Sequence, residues 1–355
     1  MKKIIAIILA LTLSVFCVCS FGACGDDKDP DYSSITIVVP DGGPALGMAY
    51  LMKEYPNEID KVKVTYKIVE GTDGIRAAVM SGEADLAIMP TNMAAQVYNG
   101  GIDIKLVSTN SYGLLYLLSD TADPSSFTLE SLKGQVVHSV GMGGTPQAVL
   151  EKILSAANIP YVESATAVSG YVALNFYSNA DTGSIIPGIK QGKIHFAVLG
   201  EPAVSNAKEK VGESLQIVCD LQEEWKTATG TDASYPQTCL VAKKTLVDTK
   251  ESLVKTIAKL TVEGGIMLQS DASPYLAELR AREATVPSAF DAEGVKRLHI
   301  DPHFGSVAQA HVTEYFEILL AFKDGLIGGK LPDADFYCDW DEMETIAAIG
   351  KTFLG

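Results

Sequence analysis

No C-x-x-C pair, no G-x-G-x-x-G turn and no glycine-rich loop ending in Gly-Lys-Ser/Thr is spelled anywhere in the 355 residues. Their lack speaks against a structural zinc site and against the usual dinucleotide and nucleoside-triphosphate loops. Positive charge is also short: 28 Lys and Arg stand against 44 Asp and Glu, a formal net charge of −16. Nucleic-acid binding needs basic patches, so that class is excluded as a partner. The same charge says little about a small ligand, because a local site can oppose the global field. Aromatic residues make up 8% and charged residues 20% of a chain that is 47% apolar. That is ordinary globular composition, at a length suited to about two domains.

The long apolar run that does exist is at the start. Met1-Lys2-Lys3 precedes an apolar stretch from Ile4 to Val18, and small residues lead to Cys24 and an acidic Gly-Asp-Asp-Lys-Asp. A basic start, a greasy core and a small-residue cleavage site make an export signal over residues 1–23. An uncleaved anchor is the other reading, since the run approaches spanning length. Of six cysteines, Cys219, Cys239 and Cys338 remain beyond this region. An odd number is no disulfide framework. A Cys219–Cys239 bridge and three free thiols are the two options.

After a tether over 24–33, β-branched and apolar runs alternate with helical patterns. "ITIVVP" (35–40), "KVKVTYKIVE" (61–70), "ADLAIMP" (84–90) and "IKLVSTN" (104–110) read as strands. Between them "ALGMAYLMKEY", "GIRAAVMSG" and "AAQVYNGG" read as helices. This spacing predicts βαβ units and a parallel sheet covered on both faces. The pattern restarts at "LKGQVVHSV" (132–140), followed by the turn "GMGGTP" and a helix over 147–159. Runs at 162–168, 185–192 and 194–200 complete the second set. Laying 71–90 over 181–200 gives identities at Thr72/Thr182, Ile75/Ile185, Gly82/Gly192 and Ala87/Ala197.

The fold class expected is therefore α/β, with two similar lobes joined by a two-strand hinge. The first lobe takes 34–115, the second 116–222, and the first again 223–355, with a return strand and C-terminal helices. "GLLYLLSD" (113–120) suits the outward crossing, and either 216–221 or 235–244 the return, with a polar link "QEEWKTATGTDAS" between them.

In open α/β sheets ligands bind beyond the carboxyl ends of strands, where helix N-termini also point. That singles out the turn Asp41-Gly42-Gly43-Pro44, Thr91 and Asn92 after the strand at 84–90, and Gly141, Gly143, Gly144 and Thr145 of the second glycine-rich turn. Backbone N–H groups and the helix dipole there favour an anionic oxygen. Glu201 ends the echoing strand on the other lobe. Ser111, Tyr112 and Tyr235 flank the crossings. Asp41 suits an Asx-turn better than a ligand amine, Glu201 suits an amine, a protonated heterocycle or plain solvation, and Thr91 and Asn92 suit a helix cap and a ligand contact equally. His299 and His303 are four apart, but Pro302 lies between them and spoils a helical metal pair, so no metal and no cofactor is expected. No catalytic triad is spelled out by spacing.

These stretches together resemble the solute-binding lipoproteins of bacterial ABC importers. The nearest likeness is to the nitrate/sulfonate/taurine and thiamine-pyrimidine-precursor group, which has the type II periplasmic-binding-protein fold. The likeness runs over residues 34 to about 337 and is carried by "VVPDGGPALGMAYLM", "SGEADLAIMPTNMAAQVYNGG", "LKGQVVHSVGMGGTPQAVLEKIL", "QGKIHFAVLGEPAV" and "GLIGGKLPDADFYC". "FGAC" resembles a lipobox with Cys24 as the lipidated residue, although Phe21 departs from the usual aliphatic residue. The resemblance implies a monomeric, non-enzymatic protein anchored by lipid and facing the extracellular side or periplasm. Its partners would be a small-molecule ligand and an ABC permease with its ATPase. It places ligand contacts in 41–45, 90–92, 110–112 and 141–145. A biosynthetic enzyme of the thiamine-pyrimidine or menaquinone type on the same fold is the alternative.

Overall fold

A computed structural model describes residues 31–178, 183–288 and 290–345; the expected signal, Cys24 and the tether up to residue 30 lie outside the described residues. The first set of elements is β1 (Ser34–Pro40), α1 (Gly43–Glu54), β2 (Glu58–Ile59), β3 (Val62–Val69), α2 (Gly71–Met80), β4 (Leu86–Pro90), α3 (Thr91–Asn99) and β5 (Ile104–Tyr112). The next is β6 (Leu115–Ser119), β7 (Val136–Ser139), α4 (Thr145–Ala156), β8 (Tyr161–Glu163), β9 (Val172–Phe176), α5 (Ile185–Lys190), β10 (Phe196–Gly200), α6 (Ala203–Val211) and β11 (Gln216–Asp220). Then follow α7 (Leu221–Thr229), β12 (Pro236–Lys243), α8 (Lys244–Thr249), α9 (Glu251–Ser270), α10 (Ser273–Ala281), α11 (Ala292–Lys296) and α12 (Gly305–Lys323).

Two six-stranded sheets result, in the orders β2-β3-β1-β4-β12-β5 and β11-β6-β10-β7-β9-β8. Read from opposite ends they match: β3, β1 and β4 lie parallel, as do β9, β7 and β10. An antiparallel strand follows in each, β12 against β4 and β6 against β10. The echo between 86–90 and 196–200 is thus a true topological equivalence, with β4 and β10 in the same place in their sheets. Both are buried along nearly their whole length, as strands covered on two faces must be, which is why each reads as a continuous apolar run. Proline in the first turn of α1 and α4 suits a helix start, where no N–H is needed.

Three local expectations change. The strand expected over 162–168 stops at Glu163, and its sheet neighbour is β9, whose "VALNF" pattern is interrupted by Asn175. The polar link 222–234 is helical at its start: the Asp220 carboxylate accepts from the N–H groups of Gln222 (2.9 Å) and Glu223 (3.3 Å), and buried Trp225 anchors α7, which packs on α4. Of the two return candidates, 216–220 joins the second sheet and 236–243 the first. The outward crossing is Gly113-Leu114, between β5 and β6. Helices α9 and α10 pack on α1 and share its core, whereas Tyr315, Phe316 and Leu319 of α12 belong to the core cluster that reaches both sheets.

Cys219, Cys239 and Cys338 are free and buried, so the Cys219–Cys239 bridge is not made; the two sit in different sheets. Burial pushes each thiol up to about 12. Two consequences are expected. A thiol reagent at neutral pH should leave all three untouched in the native protein and titrate them only after denaturation. The folded thiols hold their protons above the ordinary value of 9.0. Their contribution to stability is therefore complete below pH 9 and lost as pH rises towards 12. An alkaline unfolding curve checks the sign.

Candidate functional site

The carboxyl ends of both sheets face a cavity of about 300 Å³. Three helix N-termini open on it. The first turn of α2 supplies Thr72 and Asp73, with Arg76 a turn further on; Pro90 leads α3, which supplies Asn92, Met93 and Gln96; the turn from Val140 to Pro146 leads α4. First-turn N–H groups have no partner inside their helix and carry the positive end of its dipole. With Arg76 as the one basic residue among the described lining, the chemistry favours a small ligand with an anionic oxygen.

Sequence and geometry agree on why the second glycine-rich turn is shaped as it is. Gly141 and Gly143 both adopt φ of 72°, in the left-handed region that glycine fills without strain. A Cβ on Gly141 would come within 2.7 Å of the Pro146 ring. The N–H of Gly143 donates to Gln147 Oε1 at 2.8 Å, which fixes the turn on its helix. Thr145 reaches across the cleft: its hydroxyl donates to Asn92 Oδ1 at 3.0 Å, and the Asn92 amide donates to the Leu326 carbonyl at 3.2 Å. Asn92 therefore braces the cavity wall between the lobes, and its orientation is set by both bonds.

The other expected residues fall elsewhere. Asp41, Gly42 and Pro202 line a second cavity of about 320 Å³, together with Glu70 and Thr285. The Asp41 carboxylate accepts from Gly42 N (2.9 Å) and Thr285 N (2.9 Å), so it ties a turn to the segment before α11. Gly43 and Glu201 do meet across the lobes, since a Cβ on Gly43 would lie 3.2 Å from the Glu201 carbonyl. Pro44 sits in the first turn of α1. The Glu201 carboxylate is engaged within the protein: Arg297 Nε donates to it at 2.6 Å, and Ser205 donates through N and Oγ, both at 3.1 Å. Thr91 is fully buried and is not part of the cavity lining.

Ser111, Tyr112 and Tyr235 belong to the crossings rather than to the 300 Å³ cavity. The Ser111 and Thr238 hydroxyls share a hydrogen bond of 2.7 Å. Tyr112 OH is bonded to His311 Nδ1 (2.7 Å), and burial raises its pKa. Tyr235 donates to Gln222 Oε1 (3.1 Å) and packs against Trp225 and Tyr315. His299 meets Tyr116 OH at 2.8 Å and His303 meets Glu344 at 2.7 Å. Among the described residues no group of three or more His, Cys, Asp or Glu is placed to hold a metal ion.

Reading the sequence missed Thr72, Asp73, Arg76 and Gln237. Thr72 and Asp73 lie within "EGTDG", a glycine-bearing turn at the end of β3, and Arg76 just beyond it; the strand-end rule applies there as it does after β1 and β7. Gln237 carried no such signal.

No family model and no curated protein matches the sequence. Solved structures do. An ABC transporter structure from Parabacteroides distasonis is 26% identical, covers 86% of this chain and 99% of that one, and superposes with a TM-score of 0.71. The fold is the two-lobed fold of ABC-importer binding proteins. The binding-protein fold recurs in the periplasmic aliphatic sulphonate binding protein SsuA from Escherichia coli (15% identity, 85% and 95% coverage, TM-score 0.63). It recurs again in the periplasmic nitrate-binding protein NrtA from Synechocystis PCC 6803 (12%, 92% and 86%, 0.59). Those neighbours are transport binding proteins of the sulfonate and nitrate type. In this binding-protein fold the two crossings are the covalent links between lobes, which places Gly113 and the residues before Pro236 at its hinge.

Proposed function

We propose that this protein is the extracytoplasmic solute-binding component of an ABC importer. It captures a small organic anion between its lobes and delivers it to a membrane permease with its ATPase. The observation that carries the reading is the convergence of α2, α3 and α4 N-termini and Arg76 on one interlobe cavity of about 300 Å³. A cavity of that size holds a small organic molecule. Hinge closure over the ligand follows from its differential affinity for the closed state. Among the ligands considered, a sulfonate or a taurine-like zwitterion suits Arg76 and Asp73 better than a thiamine pyrimidine precursor, because no aromatic side chain lines the described cavity. Anchoring through Cys24, a monomeric state and a position outside the cytoplasmic membrane belong to the same reading. Among the described residues no helix is long and apolar enough to cross a membrane.

A thermal-shift screen of protein stripped of bound ligand tests it, with sulfonates, taurine, amino acids, nitrate, thiamine and its pyrimidine precursors, and nucleobases. Ligand at about 100 times its Kd should stabilise the native state by about 2.7 kcal/mol, a shift of several degrees. With the hit in hand, Arg76→Ala should weaken binding by roughly 10- to 100-fold, the worth of a charge-assisted bond. Unchanged affinity in that variant would remove Arg76, and the anion with it, from the reading.

A further inference from the structure

The return strand β12 pairs with two neighbours, and only one pairing is regular at its start. Against β4 the register runs evenly from Thr238↔Pro90 onward. Against β5 it moves from Pro236↔Tyr112 to Thr238↔Ser111, so Gln237 is an extra residue opposite no partner. That is a β-bulge, a device that re-aims a side chain where a ladder meets a site. Gln237 lines the 300 Å³ cavity with Arg76 and Asn92. It is 8% exposed, and its carboxamide oxygen is buried without a hydrogen-bond partner. A buried acceptor left unmade is a standing penalty, which native proteins keep for a reason.

We propose that Gln237 determines the specificity of the cleft: its carboxamide oxygen accepts a hydrogen bond from an N–H or O–H of the solute. The protein therefore takes an organic anion that carries such a donor and passes over the otherwise identical anion that lacks it. This rests on the reading of the cleft as an anion site and adds a second, neutral requirement to the charge held by Arg76. It also puts the solute in contact with a hinge strand.

Two measurements on the full chain decide it. Gln237→Met keeps the volume and removes the unsatisfied acceptor, so the ligand-free variant should melt roughly 2 °C higher than the parent. A lower melting temperature would mean that the amide is bonded within the protein, and would overturn the proposal. Calorimetric titration then compares 2-hydroxyethanesulfonate with ethanesulfonate and lactate with propionate, pairs of equal charge that differ by one hydroxyl. The parent should prefer the donor-bearing member of a pair by about tenfold or more. Gln237→Met should bind both members alike, and Gln237→Glu, which keeps an acceptor, should retain the preference. Binding without discrimination by the parent sinks the role of Gln237 and leaves the anion site standing. Silence towards every probe sinks both.

Discussion

Gly113→Ala is expected to destabilise the protein by roughly 3 kcal/mol, a drop of several degrees in Tm. Two terms add. Gly113 has φ of 57° at the outward crossing, and a left-handed backbone costs a residue with a Cβ about 1–2 kcal/mol. The new Cβ would also lie 2.0 Å from Gln222 Cγ and 2.8 Å from Cδ. Gln222 cannot step aside, because its Oε1 accepts from Leu114 N (3.2 Å), Leu115 N (2.8 Å) and Tyr235 OH (3.1 Å). The backbone cannot either, since Gly113 N donates to the Tyr235 carbonyl at 2.9 Å, joining the two crossings. Gly143→Ala is the control: φ is 72° there, but nothing lies within 4 Å of its Cβ, so only the backbone cost of about 1 kcal/mol should appear. Adding Gln222→Ala to Gly113→Ala removes the clash, and the pair should fall well short of additivity. If Gly113→Ala melts like Gly143→Ala, the crossing is not packed as described.

The same residues show which parts of the structure can be read in advance. Strands such as β4 and β10 are legible because burial on both faces demands an unbroken apolar run, whatever their neighbours are. Helix α7 is not, because Leu221 and Trp225 are its only large apolar residues in an otherwise polar stretch and its cap, Asp220, is also the last residue of a strand. Strand β9 carries Asn175 in the middle of its run. Glycine-rich turns announce strand ends, and those at 41–44 and 141–145 both reach the interlobe space. What they cannot announce is which polar side chains already have partners. Glu201 reads as a ligand-facing or solvated acid and Asp41 as a local turn, until Arg297 and Thr285, distant in sequence, supply their bonds. Gln237 fails for a related reason: a bulge is a mismatch between two strands, and neither strand spells it alone.

The pairing of Glu201 with Arg297 carries the other large effect. Glu201 belongs to the turn after β10, in the second sheet's lobe. Arg297 follows α11, whose Val295, with Leu298 just beyond, is buried in the first-lobe core. Their contact of 2.6 Å therefore clasps the lobes, with the carboxylate fully buried and the guanidinium 21% exposed. Arg297→Met leaves that carboxylate with the Ser205 N–H and hydroxyl as its remaining donors. Breaking a buried pair from one side costs about 3–5 kcal/mol. The surviving donors and the partial exposure of Arg297 put this case near the lower figure, a fall in Tm of roughly 5 °C. The double variant Glu201→Gln with Arg297→Met should be more stable than Arg297→Met alone, since it removes the charge left unpaired. Equal stability of the single and double variants would mean that the carboxylate is not the source of the loss. Because the clasp joins lobes that the crossings leave free to hinge, Arg297→Met should also raise the ligand-free radius of gyration in solution scattering. An unchanged radius would assign the ion pair to stability alone.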